Sequence, residues 1–301
     1  MKAIVLSAYG DADQLKLQEV PDPKVGPNQI KVRVAAASVN PVDWKMRSGA
    51  LQAFMPLQLP AILGKDAAGE VVEVGAGVAA FKIGARVMGR VSAAYAELVV
   101  GPADGWAEVP AALTLTDAAA LPLVLLTGAQ LTEEAVNPRP GDVVLVTGAL
   151  GSVGRVAVFT AKLRGAKVYA GVRGSQKVSA AQLGAEGVVA LDDAGDLATL
   201  PPLDGIADTV GGETAQKLLE KLKAGGTIGS IVGEPAGAKQ RGFVVHAILT
   251  HSDAQRLATL GQAVADGKLV IPIARRFPLA QAAEAHKLTE KGAGGKVILT
   301  I

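Results

Sequence analysis

Apolar and polar positions alternate with a period of two along much of the first hundred residues. In Gln29-Ile30-Lys31-Val32-Arg33-Val34 every second side chain is apolar, which predicts a half-buried strand. Residues 2–6, 69–75 and 95–100 predict further strands, separated by Gly and Pro. Near residue 117 the period changes. Thr116-Asp117 marks a helix start, and the apolar stretch 118–129, interrupted by Pro122, predicts a core helix too short to span a membrane. Strand patterns at 143–146, 167–172, 188–190, 205–208 and 227–231 then alternate with helical ones. Such alternation predicts a parallel sheet with helices on both faces. Residues 296–301 end the chain as a strand able to return to the first domain. The expected class is α/β, with a mainly-β domain of residues 1–117 and 266–301 and a doubly wound parallel-sheet domain of residues 118–265.

The most specific local signal follows the apolar run Val143-Val144-Leu145-Val146. The chain drops into Thr147-Gly148-Ala149-Leu150-Gly151-Ser152-Val153-Gly154, continues in a helical pattern over 155–163, and returns as a strand. About thirty residues of strand, turn, helix and strand are what a dinucleotide-binding unit needs. One glycine permits the turn, one lets backbone N–H groups approach a pyrophosphate, and the last lets the helix pack close to the strand. The spacing is GxxGxxG rather than GxGxxG, so a plain glycine-rich turn of an α/β core is the alternative. The candidate cofactor-binding residues here are Gly148, Ala149, Leu150, Gly151, Ser152, Val153 and Gly154.

Composition narrows the partners. Half the residues are apolar but only 3% are aromatic, so the core must be built from Ala, Val, Leu and Ile. Thirty basic against twenty-eight acidic residues leave a formal charge of +2, and no Lys/Arg run is present to neutralise a phosphate backbone, so no nucleic-acid partner is expected. Cysteine is absent, which excludes disulfides, thiolate catalysis and thiolate metal ligands. The opening strand pattern is too short and too lightly flanked for a signal peptide. A cytoplasmic protein without a membrane partner is the expectation.

Six segments carry a family resemblance: Ala37-Ser38-Val39-Asn40-Pro41-Val42-Asp43-Trp44-Lys45; Leu63-Gly64-Lys65-Asp66-Ala67-Ala68-Gly69-Glu70-Val71, which fits GxDxxG; Ala118-Ala119-Ala120-Leu121-Pro122 leading to Thr127; the glycine loop; Asp208-Thr209-Val210-Gly211-Gly212; and Gly294-Gly295-Lys296-Val297. Their order resembles the medium-chain dehydrogenase/reductase superfamily, in its zinc-independent quinone oxidoreductase and ζ-crystallin branch. The resemblance implies a GroES-like catalytic domain split in sequence and a Rossmann domain inserted before its C-terminal strand. It also implies hydride transfer driven by NAD(P)H, and a homodimer.

Where the superfamily's zinc enzymes place their catalytic ligands, this chain has Asn40, Lys65 and the apolar stretch 121–125. An ammonium and an amide cannot replace thiolate and imidazole on zinc, and the three His residues lie elsewhere, at 246, 251 and 286, so no metal is expected. Without a Lewis acid, a conjugated acceptor such as a quinone, enal or enone is the natural substrate, because its developing charge delocalises onto a remote oxygen.

The second strand of the nucleotide unit ends without the acid that selects NAD. Arg173, Ser175 and Lys177 follow it instead and are read as ligands of a 2′-phosphate, which makes NADPH the expected cofactor. The family tyrosine at the end of the third strand is replaced by Leu191.

By resemblance, Asn40 and Lys45 are the candidate catalytic residues. Asn40, Thr127, Val210, Ile231, Val232, Gly233 and Lys296 join the candidate cofactor contacts, with Lys296 reaching toward the pyrophosphate. Tyrosines that relatives place near Lys45 and Leu51 are absent. The expected activity is reduction of quinones or α,β-unsaturated carbonyls. The alternatives are an enoyl-thioester reductase and a non-catalytic NADPH-binding redox sensor.

Overall fold

The computed structural model describes all residues, 1–301. Eight strands come first: β1 (Lys2–Leu6), β2 (Leu15–Glu19), β3 (Gln29–Val39), β4 (Ala61–Ile62), β5 (Asp66–Val74), β6 (Arg86–Arg90), β7 (Leu98–Pro102) and β8 (Trp106–Glu108). Six follow: β9 (Val143–Thr147), β10 (Lys167–Val172), β11 (Gly187–Ala190), β12 (Leu203–Asp208), β13 (Leu222–Ser230) and β14 (Val244–Ala247). Two close the chain, β15 (Ile273–Pro278) and β16 (Lys296–Thr300). Contacts divide the molecule into two compact units, Met1–Leu123 with Ser252–Ile301, and Val124–His251.

In the first unit a mixed sheet runs β15-β16-β3-β5-β6-β8, with β7 also paired to β3, and a small sheet runs β2-β1-β4. The period of two seen in the sequence is visible in β3, where Ile30, Val32 and Val34 are buried and Arg33 is exposed. The last strand does return to this unit. β16 pairs antiparallel with β3, placing Val297 opposite Val39 and Leu299 opposite Ala37. Ile4, Ile30, Val32, Val71, Val87, Val297 and Leu299 share one core with two large aromatics, Tyr95 and Trp106.

The second unit is a wholly parallel sheet in the order β11-β10-β9-β12-β13-β14. Counted within the unit, that is the doubly wound order 3-2-1-4-5-6. β9 lies at its centre, and Val144, Leu145 and Val146 are buried without alternation, as helices on both faces require. The helix Ser152–Leu163 follows β9 and buries Val156, Ala157, Thr160 and Ala161. The class expected from the sequence, a GroES-like part plus a Rossmann part, is the fold observed.

Details differ from the sequence reading. The predicted domain breaks fall after 117 and 265, whereas the compact units break after Leu123 and His251. The helix Ala254–Ala265 accounts for much of this. It buries Leu257, Leu260 and Gly261 in the first unit, where a Cβ on Gly261 would sit 2.5 Å from Met88 Cε. The helix start falls at Thr114, whose side chain accepts from the Asp117 N–H. The expected core helix 118–129 is two helices, Leu115–Ala118 and Pro122–Gln130, because Pro122 begins a new helix instead of kinking an old one. The apolar helical run as a whole is mostly buried inside the protein. Residues 95–100 form a strand only from Leu98. Ala96 makes a single bridge to Ala3, and Tyr95 is fully buried.

Candidate functional site

The glycine loop lies at the carboxyl end of β9, where the strand order reverses, the place where α/β sheets bind ligands. Gly148 has a positive φ of 62°, and a Cβ there would meet Thr209 Oγ1 at 2.5 Å. Gly151 caps the helix and brings no side-chain hydrogen bond to it, so the first-turn N–H groups of Ser152, Val153 and Gly154 are left to an outside acceptor. Gly154 belongs to that first turn. A Cβ on it would be 2.2 Å from the Gly148 carbonyl oxygen, so only glycine lets this helix approach its strand so closely. An uncapped twelve-residue helix with its positive end at a glycine turn is a site for an anion. Ala149 is buried and Leu150 is half-buried behind the turn.

The rim of this site is held by a residue the sequence reading missed. Buried Asp208 accepts from Thr147 Oγ1 at 2.8 Å, Val210 N–H at 3.1 Å and Gly211 N–H at 3.0 Å through Oδ1, and from Ser230 Oγ at 3.1 Å through Oδ2. It therefore ties the ends of β9, β12 and β13 together. The same bonds place Val210, 49% exposed, beside Gly148, while Val232 is 42% exposed at the end of β13. Ile231 is half-buried and Gly233 adopts a φ of 108°. Thr127 is buried, with Oγ1 2.7 Å from Thr250 Oγ1. An acid at a strand end, with a glycine pair three and four residues on, is the signal that could have found Asp208.

At the end of β10, Arg173 and Ser175 are exposed and the Arg173 guanidinium makes no ion pair. Lys177, expected beside them, is paired with Asp196, Nζ to Oδ2 at 2.5 Å. That bond holds the Asp196 carboxyl below the usual carboxylate range, helped by the Ala190 N–H. The Gly174 N–H donates to Asp192 Oδ1 at 2.7 Å. Leu191, the residue in place of tyrosine, packs where a Cβ on Gly171 would meet it at 2.9 Å.

In the first unit Asn40 and Lys296 come together. Lys296 is 5% exposed and its Nζ donates to Asn40 Oδ1, with Asp66 Oδ2 at 3.6 Å. Asn40 Nδ2 donates to Asp66 Oδ2 at 2.8 Å and lies 3.3 Å from the Ser38 carbonyl oxygen. Both ends of the Asn40 amide are thus held by the protein, and the ammonium expected to reach toward a pyrophosphate is held by them. Asp66 also accepts from Ser38 Oγ at 2.5 Å and from the Leu123 N–H at 2.6 Å. Burial pulls the Lys296 ammonium down from its ordinary value, with Asp66 and Asp43 opposing. Lys45 is half-buried, its Nζ 5.7 Å from the Trp44 ring centroid.

A second buried chain runs from the same helix, Pro41–Arg47. Arg47 donates to Glu290 and faces His286 Nδ1 at 3.4 Å, His286 Nε2 lies 3.3 Å from Tyr95 Oη, and Tyr95 donates to Asp43 Oδ2 at 3.0 Å. A guanidinium can only donate, so Nδ1 accepts and Nε2 carries the proton of a neutral ring. Burial, and then the Arg47 charge, push His286 down to about 3. Burial pushes Asp43 up to about 6, with the Asp66 charge adding to it against the Asn40 N–H bond, and Asp43 Oδ1 has no partner. Tyr95 rises well above its ordinary value through burial and the Asp43 charge. Apart from the Asn40 N–H, three residues before Asp43, these partners lie tens to hundreds of residues apart and were not legible in sequence.

No group of three or more His, Asp or Glu side chains is gathered so as to hold a metal ion. At the superfamily's ligand positions, Asn40 is held as described and Lys65 Nζ donates to Ser92 Oγ at 3.2 Å.

The chain matches the alcohol dehydrogenase GroES-like domain over residues 26–111 and the family described as zinc-binding dehydrogenase over residues 183–299. It is 31% identical to a quinone oxidoreductase of Rattus norvegicus, over 100% of this chain and 98% of the relative. A chloroplast envelope quinone oxidoreductase homolog of Arabidopsis thaliana is 39% identical over 56% of this chain, and the match spans only 55% of that relative's length. Among solved structures, the quinone oxidoreductase from Coxiella burnetii superposes with a TM-score of 0.89 at 33% identity, over 100% of this chain and 99% of the other. The Escherichia coli quinone oxidoreductase complexed with NADPH superposes at 0.87 with 27% identity, each chain covered in full. By these relationships and by its fold, the chain belongs to the quinone oxidoreductase family of the medium-chain dehydrogenase/reductase superfamily.

Proposed function

We propose that the protein is an NADPH-dependent reductase of quinones or α,β-unsaturated carbonyls that works without zinc. The observation that carries this reading is the uncapped helix Ser152–Leu163 at the glycine turn, whose free N–H groups and close helix approach fit a pyrophosphate. Gly148 to Gly154 would hold that group, with Thr127, Val210, Ile231, Val232 and Gly233 as further contacts. Arg173 and Ser175 would face the 2′-phosphate. When bound, the cofactor supplies a hydride.

The donor set at the ligand positions supports a metal-free reaction, since an amide and an ammonium are poor zinc ligands. A conjugated acceptor suits such a site because hydrogen bonds suffice to hold its delocalised negative charge. Lys45 is the side chain proposed to donate to that oxygen. Asn40, with its amide held by Lys296 and Asp66, acts as a positioning residue at the start of the helix that carries Lys45.

The test is oxidation of the reduced nicotinamide, followed by absorbance, against a quinone, a short enal, a bulky enone and an enoyl thioester, each with NADPH and NADH. Turnover of a quinone, enal or enone is the expected result. Turnover of the thioester alone would reassign the substrate class. Tight nucleotide binding with no turnover on any of the four would make the protein a nucleotide-binding redox sensor.

A further inference from the structure

We infer that Lys65 and Arg90 form a receptor for a carboxylate carried by the substrate, so that the conjugated acceptor this protein reduces is an acid. The inference rests on the reductase reading proposed above and names its substrate class.

The two cations sit at adjoining ends of β5 and β6. Arg90 pairs directly opposite Asp66, on the same face of the sheet, and the Val91 N–H donates to the Lys65 carbonyl oxygen at 3.1 Å. Asp66 would be the natural counter-ion for Arg90, but its oxygens are already engaged. Oδ1 accepts the Leu123 N–H, and Oδ2 accepts Ser38 Oγ and Asn40 Nδ2, with Lys296 Nζ at 3.6 Å. Arg90 Nε is left buried without a partner. The Lys65 ammonium is held by a hydroxyl, Ser92 Oγ at 3.2 Å. Both side chains are half-buried, so neither is a freely solvated surface charge.

The balance of charge has the sign such a receptor needs. Three cations, Lys65, Arg90 and Lys296, stand with two carboxylates, Asp43 and Asp66, which leaves one positive charge in surplus. Burial pulls both Lys65 and Arg90 below their ordinary values, and the Arg90 charge presses on Lys65 as well. An arriving carboxylate relieves both cations and can accept from a guanidinium and an ammonium at once. Asp43 opposes that anion, but burial raises it to about 6 and so favours its neutral form. A neutral quinone or enone offers the pair nothing.

A β-acylacrylate, a conjugated ketone with a carboxylate on the far carbon of the double bond, has the required groups. Its ketone oxygen would go to Lys45 and its carboxylate to Lys65 and Arg90. Hydride adds at the carbon bearing the carboxylate, the C=C pair moves to the ketone oxygen, and a solvent proton completes the adjacent carbon as NADPH is oxidised.

The test compares kcat/KM for β-acetylacrylate and for its methyl ester, in the wild type and in variants whose thermal unfolding is checked first. Acid and ester are read in the same variant, so partial loss of folded protein cancels from their ratio. The wild type should prefer the acid. Lys65→Met and Arg90→Met should each lower the acid-to-ester ratio roughly ten- to hundredfold, mainly through KM, the scale of a lost charge-assisted hydrogen bond. Lys65→Arg and Arg90→Lys should keep most of it. Calorimetric titration with levulinate, the saturated acid, supplies a readout without turnover, and its affinity should fall in both Met variants. Turnover of the ester, a quinone or a neutral enone with no preference for the acid would overturn this inference and leave the reductase reading standing. A ratio unchanged in either Met variant would also overturn it. No turnover of any acceptor, with levulinate bound by the wild type and weakened in both Met variants, would overturn the reductase reading and leave the carboxylate receptor standing.

Discussion

Asp43 and His286 sit two links apart in one hydrogen-bonded chain and titrate in opposite senses. Asp43 is raised from 3.8 to about 6, so the native state holds its proton more tightly than the unfolded chain does. Its stabilising contribution is complete below pH 3.8 and is lost as pH rises through 6. His286 is lowered from 6.5 to about 3, so its contribution is present above pH 6.5 and is lost as pH falls toward 3. Between roughly pH 4 and 6 the two slopes oppose, and the wild type should show a flat contribution from this pair. Asp43→Asn should leave a stability that rises with pH across that window, and His286→Gln one that falls. Each slope has a limit of about 1.4 kcal/mol per pH unit. Denaturant midpoints measured along the pH axis check this, and profiles of the same sign in both variants would sink it. Lys296 poses a different problem. Replacing it with Met leaves Asp66 and the Asn40 carbonyl oxygen buried without their cation, a loss of about 3–5 kcal/mol, read as a lowered unfolding midpoint.

The element that matters most is the strand, turn and helix from Val143 to Leu163. Its glycines do different work. Gly154→Ala would drive a Cβ into the Gly148 carbonyl oxygen, so it should abolish nucleotide binding and lower stability. Gly151→Ala meets that oxygen only at 3.1 Å and should be mild by comparison. Calorimetric titration with NADPH separates the two, and equal binding by both variants would contradict the close-approach argument. The sequence reveals this element because its determinants are local: a buried strand without alternation, glycines at fixed offsets, a helical pattern after them. The Lys177–Asp196 pair was hidden because its partner comes from a different strand–helix connection, nineteen residues on.

At the scale of the whole molecule, β14 ends the parallel sheet and pairs on one side only, with β13. Val244 on it is exposed, and Leu249 just beyond is 77% exposed. Open strand edges with apolar side chains invite a partner, and a homodimer through this edge is the assembly we propose. Val244→Lys combined with Leu249→Asp should shift the protein to monomer in light scattering. A wild type that is monomeric at high concentration would end the proposal.

Period, punctuation and glycine spacing are properties of neighbouring residues, and they determined the α/β class, the parallel sheet, the return of β16 to the first unit and the nucleotide turn. That Asn40 and Lys65 stand where the superfamily's zinc enzymes place ligands was read from the family resemblance, not from any local pattern. What only the tertiary structure decided is which polar groups meet. Lys296 was read as reaching toward the pyrophosphate, and in the fold its buried ammonium is held by Asn40 and Asp66. Lys177 was read as a phosphate ligand, and in the fold its ammonium is paired with Asp196. In both cases a charge meets the nearest opposite charge that folding brings to it, and that partner's identity depends on strand order and register, which no local pattern encodes.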